Sequence, residues 1–266
     1  GDKVAVVLDK TVFYAESGGQ IGDSGVVVNN LATININDCK KSGSHFLHFG
    51  YVQSGSFRVG DNVQANILND RRQLITCNHS ATHLLHEALR AVLGDHVEQR
   101  GSLVDDERFR FDFSHDSAVT DDEIRQVEHI VNEEILKNKE VVTNSMSMEE
   151  AKSKGAKALF GEKYGDVVRV VNIGDDFSVE LCGGTHVNRT GEIGLVKVAV
   201  ETSVAAGIRR IESCSGLKAV NLCNAQQDQI AAISAVIKGS KGDLSSRIQN
   251  LLDENKSLHR EIKNLK

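Results

Sequence analysis

The chain has 266 residues and a net charge of −6, which excludes a generally basic nucleic-acid binder and confines any RNA contact to local, salt-sensitive patches. Its five cysteines, odd in number and irregularly spaced, make no disulfide framework. With no signal-like start and no apolar run near ~18 residues, a cytoplasmic, reducing setting without membrane insertion is expected.

Residues 1–67 read as short strands (4–8, 25–28, 32–37, 45–50 and 62–67) between gaps of Gly, Asn, Asp and Ser, a pattern that predicts a small β-barrel-like subdomain. Its Glu16-Ser-Gly-Gly-Gln20 loop is, by composition, a turn in which Gly18 and Gly19 supply positive φ. Asp70–Leu93 has helical spacing, continuous or broken near Asn78, with an apolar stripe through Leu84, Leu85, Ala88, Leu89 and Val92 and a stop at Gly94. Segments 97–104 and 108–113 read as strands, the second placing Phe109, Phe111 and Phe113 on one face. Gln99 and Ser102 carry no signal by themselves. Thr120-Asp-Asp-Glu123 is a capping box before helical Ile124, Val127, Ile130, Val131 and Ile135, and Ser147-Met-Glu-Glu150 opens a shorter helix. Strands are expected at 167–171, 177–181, 195–201 and 208–213, which makes the middle region, 68–215, an α+β sandwich with a mostly antiparallel sheet.

From Leu217 the pattern is helical, with a break at Gly239–Gly242. Leu244, Ile248, Leu251, Asn255, Leu258, Ile262 and Leu265 then alternate gaps of four and three, giving heptads with one polar a position. Residues 216–266 are therefore expected to form a helical segment with a coiled-coil-like end that makes a homo-oligomer. An amphipathic helix folded back on its own domain fits the same pattern.

Chemistry concentrates at two places. His79 and His83 are four apart, so on a helix their imidazoles project from one face. Cys182-Gly-Gly-Thr-His186 adds a thiolate and an imidazole around two glycines that permit a tight fold. His79, His83, Cys182 and His186 make a donor set that one zinc ion accepts readily. His86 shares the helix face, but lies about 10.5 Å along the axis from His79 at 1.5 Å per residue, too far to share that ion. It reads as a packing or supporting residue.

In order, HSATH (79–83), VEQRGSLV (97–104), RFDFSH (110–115), ALFGEKYGD (158–166), ELCGGTH (180–186) and GIRRIES (207–213) resemble the editing region of the alanyl-tRNA synthetase family, and FYAESGGQIGDSG (13–25) resembles the small domain preceding it. Free-standing alanyl-tRNA editing proteins are similar too. The editing domain of threonyl-tRNA synthetase shares the metal-ligand spacing, but the Ser-Gly-Gly-Gln loop and the helical segment here fit it less well. The resemblance implies a C-terminal portion of the synthetase, or a free-standing relative, that hydrolyses Ser-tRNA(Ala) and Gly-tRNA(Ala). A pocket sized for alanine rejects neither serine nor glycine strongly, so a second, hydrolytic site is useful.

It further implies a loop at Gly18, Gly19 and Gln20 approaching the acceptor end of tRNA(Ala), and a pocket bordered by Gln99 and Ser102. Thr82 is the residue expected to recognise the serine hydroxyl, and bonding back to the carbonyl of residue 78 is its alternative. Arg209 and Arg210 point to opposite faces of a strand, so at most one meets the ligand; Arg209 is the choice, with surface solvation as its alternative. Four protein donors describe a closed, structural zinc, whereas a catalytic zinc keeps a position open, and the sequence leaves both in play. A zinc-stabilised tRNA-binding module and an oligomerisation segment, both without catalysis, are the readings outside enzymology.

Proline is absent, where about thirteen residues would be ordinary at ~5%. Val12 stands where the resembled family usually has proline, and the Thr120-Asp121 helix start is another site where proline is common. Deliberate replacement in an engineered chain is the expectation; a naturally proline-poor sequence is the alternative.

Overall fold

The computed structural model describes residues 1–158, 165–237 and 243–265; most of the ALFGEKYGD motif and the expected break at Gly239–Gly242 lie outside them. Residues Gly1–Ala219 form one compact unit and Val220–Lys266 a second.

The first unit begins with an antiparallel five-stranded sheet built from β1 (Lys3–Val6), β2 (Gly25–Val28), β3 (Thr33–Ser42), β4 (His45–Ser54) and β5 (Gln64–Ile67). The order is β1-β4-β3-β2-β5. It is open, not the barrel-like subdomain the turn spacing suggested. Its two edge strands have four residues each and stand three strands apart, so nothing joins them. Within β3, Ile34 and Ile36 alternate inward, then a bulge between Ile36 and Asp38 shifts the parity so that Cys39 is the next buried residue. These three pack with Phe13, Ala15 and Val27 as a small core of their own.

Helix α1 (Asn69–Leu93) is continuous, so of the two readings of this segment the unbroken one holds at Asn78. The Asn78 side chain is satisfied from outside the helix: its Nδ2 donates to the Asp105 carbonyl at 2.8 Å and its Oδ1 accepts from the Ser215 hydroxyl at 2.7 Å. It therefore does not compete for the local backbone. Every residue from Ile75 to His86 is buried, so α1 is enclosed rather than laid on a surface. It ends at Gly94, with φ +113°.

Two further antiparallel sheets surround it. One has the order β11-β12-β7-β6, from β6 (Gln99–Val104), β7 (Phe109–Ser114), β11 (Val196–Ala205) and β12 (Ile208–Ser215). Phe109, Phe111 and Phe113 are fully buried on its inner face, as the alternation predicts. The other has the order β10-β9-β8, from β8 (Val141–Ser147), β9 (Val167–Ile173) and β10 (Ser178–Leu181). Strand β8 has no counterpart in the sequence reading. It is an edge strand whose Thr-Asn-Ser run is exposed on both faces, so it carries no period-two signal.

Helix α2 (Asp121–Leu136) has both capping-box bonds, Glu123 N–H to Thr120 Oγ1 at 3.3 Å and Thr120 N–H to Glu123 Oε2 at 2.8 Å, and buries Val127, Val131 and Ile135. At α3 (Met148–Ser153) the Ser147 hydroxyl accepts from the Glu150 N–H. Helix α4 (Gly216–Val236) starts in the first unit, and the second contains its remainder and α5 (Leu244–Leu265). No residue of α5 is buried. The architecture is α+β, and no described helix is long and apolar enough to cross a membrane.

Candidate metal centre

His79 and His83 leave α1 one turn apart, and Cys182 and His186 come from the turn after β10. The four donor atoms lie within 4.8 Å of one another. Cys182 Sγ is 3.4 Å from His79 Nε2 and 3.3 Å from His186 Nε2. The turn needs its second glycine: a Cβ on Gly184 would stand 2.0 Å from His79 Cε1. Arg169 Nη1 holds the turn in shape by donating to the Cys182 and Gly184 carbonyls at 2.8 and 2.6 Å.

Each imidazole is fixed through its other nitrogen. Nδ1 of His79 is 2.6 Å from Gln20 Oε1, Nδ1 of His83 is 2.8 Å from Glu180 Oε2, and Nδ1 of His186 is 3.2 Å from Ser80 Oγ. Amide and carboxylate oxygens accept there, so His79 and His83 place a proton on Nδ1, which leaves Nε2 as the atom each would turn to a metal. Hydrogen-bonded outer nitrogens of this kind are how proteins aim imidazoles at a metal.

Electrostatics favour the same occupant. Burial would raise the Cys182 thiol, but His79 and His186 overrule it and hold it well below its ordinary value. Burial would lower His83, yet the Glu180 carboxylate and Cys182 push it up to about 10, and Glu180 itself is driven well down by His83 and His86 against the effect of burial. His186, pressed by burial and then by His79, falls to about 3. A thiolate and a carboxylate thus sit buried beside imidazoles, and one divalent cation would neutralise the two negative charges. The residues fit a metal ion.

Beside the cluster is a narrow cavity lined by Gly18, Thr82, His86, Gln99, Ser102 and Phe111. Thr82 is buried, and its hydroxyl donates to the Asn78 carbonyl at 2.8 Å. Gln99 Nε2 is 3.3 Å from Ser102 Oγ. Gly18 and Gly19 have φ of +56° and +83°, and a Cβ on Gly19 would lie 2.2 Å from Ser102 Oγ, so glycine is what lets this loop lie against β6.

Two residues stand elsewhere than expected. Gln20 is fully buried; its side chain is engaged by His79 and by Thr185, whose N–H donates to Oε1 at 2.8 Å, so it braces the His79 imidazole from inside the fold. Arg209 lies outside the cavity lining, paired through Nε and Nη2 with the two oxygens of Glu201 at 2.6 Å each. Arg210 is paired in the same way with Asp112. Glu180 and Ser80, which support the imidazoles, were missed by sequence reasoning. The available signal was their position inside the ELCGGTH and HSATH motifs.

Family comparisons agree with this construction. Residues 1–71 match the model for class II (A) tRNA synthetases, and residues 168–212 match the second additional domain of threonyl and alanyl tRNA synthetases. An alanine-tRNA ligase of Dichelobacter nodosus is 51% identical over the whole chain, one of Pseudomonas entomophila 49% over the whole chain, and one of Saccharophagus degradans 50% over 98% of it. The chain spans only 31%, 30% and 30% of those relatives' own lengths. Over the segment of them that it spans, the chain belongs to the alanyl-tRNA synthetase family.

Proposed function

We propose that this chain is a hydrolytic editing portion of an alanyl-tRNA synthetase, cleaving the ester of Ser-tRNA(Ala) and Gly-tRNA(Ala) at a site built on one zinc ion. The observation that carries the reading is the buried three-histidine, one-cysteine cluster opening onto a cavity lined by Thr82, Gln99 and Ser102. His79, His83, Cys182 and His186 would hold the ion, a set of imidazoles and thiolate that suits zinc. When bound, zinc can polarise an ester carbonyl and acidify a water.

The chain's own residues shape the substrate. The Thr82 hydroxyl donates to the Asn78 carbonyl, so it offers the cavity a lone pair that accepts a hydrogen bond from the hydroxyl of serine. Gln99 and Ser102 line the cavity from β6, and Gly18 lines it from the loop that would meet the 3′ end of tRNA. Gln20, Glu180 and Ser80 keep the imidazoles from rotating. The exposed heptads of α5 pair with a second copy, Asn255 fixing the register at some cost in stability.

The test is incubation of the chain with Ser-tRNA, Gly-tRNA and Ala-tRNA, with and without a chelator. Fast hydrolysis of the first two, slow hydrolysis of the third and loss of activity on chelation are expected. Tight tRNA binding with no hydrolysis would instead support a zinc-stabilised binding and oligomerisation module.

A further inference from the structure

We propose that Nε2 of His86 is the acceptor for the α-amino group of the bound aminoacyl ester, an inference that rests on the deacylase reading above. His86 is not one of the four clustered donors. Its Nδ1 lies 2.9 Å from Glu180 Oε1, and an ionised carboxylate only accepts, so the proton sits on Nδ1 and Nε2 presents a lone pair. The side chain is 7% exposed, its ring packs 5.1 Å from that of Phe111, and Nε2 is buried with no hydrogen-bond partner among the described residues. Both rings line the cavity beside Thr82 and Gln99.

A buried acceptor left unmade is costly, and such a cost is sustained where a ligand removes it. The Glu180 carboxylate behind the imidazole favours a cationic N–H donor over a neutral one. Seryl, glycyl and alanyl esters all carry that amino group, and only serine carries a hydroxyl. His86 therefore holds every aminoacyl group alike, while Thr82 separates serine from the two that lack a hydroxyl.

The experiment compares the wild-type chain with His86→Asn and His86→Gln. Asparagine keeps a donor for Glu180 and has no atom at the Nε2 position; glutamine puts an oxygen near it. His86→Asn should lower kcat/KM for Ser-tRNA and Gly-tRNA together, on the order of tenfold to a hundredfold, and weaken an amide-linked, non-hydrolysable seryl-adenosine to a similar degree. His86→Gln should recover most of both, with metal content unchanged. N-acetyl-Ser-tRNA, whose amino group is blocked, should be cleaved equally by wild type and His86→Asn.

Equal losses on the acetylated substrate, a loss confined to serine, or no loss in a variant that keeps its metal would each overturn the proposal. So would a second bound metal ion that disappears in His86→Asn, because Glu87 and Glu180 stand near this imidazole. A wild-type chain inactive on every ester sinks the deacylase reading and this inference with it.

Discussion

At the scale of single residues, the site depends on polar atoms whose partners are already assigned. Thr82 shows how this narrows a role: its hydroxyl donates to the Asn78 carbonyl, so in the proposed contact with serine it would act only as an acceptor. Thr82→Val keeps the shape and removes that lone pair. The ratio of Ser-tRNA to Ala-tRNA hydrolysis should fall on the order of two- to tenfold, from the roughly 0.5–1.5 kcal/mol net of one hydrogen bond, with metal content intact. An unchanged ratio would move recognition to Gln99. A second residue-scale prediction lies far from the site. Cys39 is fully buried, and burial, then Asp23 and Asp38, push its thiol from 9.0 up to about 11. A raised pKa in the folded chain means that the unfolded chain loses its proton first. The associated stability is complete below pH 9.0 and lost as pH rises through about 11, up to about 3 kcal/mol. Denaturant titrations should therefore show a steeper alkaline loss in wild type than in Cys39→Ala; parallel curves would refute it.

At the scale of elements, α1 does most of the organising. One helix supplies two donors of the cluster, the Thr82 and His86 walls of the cavity, and core residues Leu84, Leu85, Ala88 and Leu89. Its burial on all sides explains why an apolar stripe on one face understated its role. Helix α5 is the opposite case: Ile248, Leu251, Leu258, Ile262 and Leu265 are all exposed. Apolar heptad positions without cover are expected to find a second copy. Ending the chain at Gly242 should then lower the mass measured by light scattering. A full chain that is monomeric at high concentration would rule out the seam.

At the scale of the molecule, the His/Cys cluster joins distant stretches: Gln20 from the first sheet's long loop, His79 and His83 from α1, and Cys182 and His186 beyond β10. A ligand that binds the folded chain alone stabilises it, by about 4 kcal/mol at a thousandfold excess over Kd. Chelation should therefore lower the Tm of the whole first unit, and a His79→Ala, Cys182→Ala double variant should show no further loss. A chelator effect that survives in the double variant would place the ion elsewhere. The sequence by itself marked the His79–His83 and Cys182–His186 pairs, the capping box at Thr120 and the Phe109–Phe113 face, because each depends on spacing within one short segment, and the run of such segments gave the α+β class. Tertiary structure alone decided that Gln20 braces His79, that Arg209 is taken by Glu201, that the first sheet stays open and that β8 exists at all. Those outcomes rest on partners far away in the chain, or on an edge strand with too little burial to pattern its own residues, and no local periodicity encodes them.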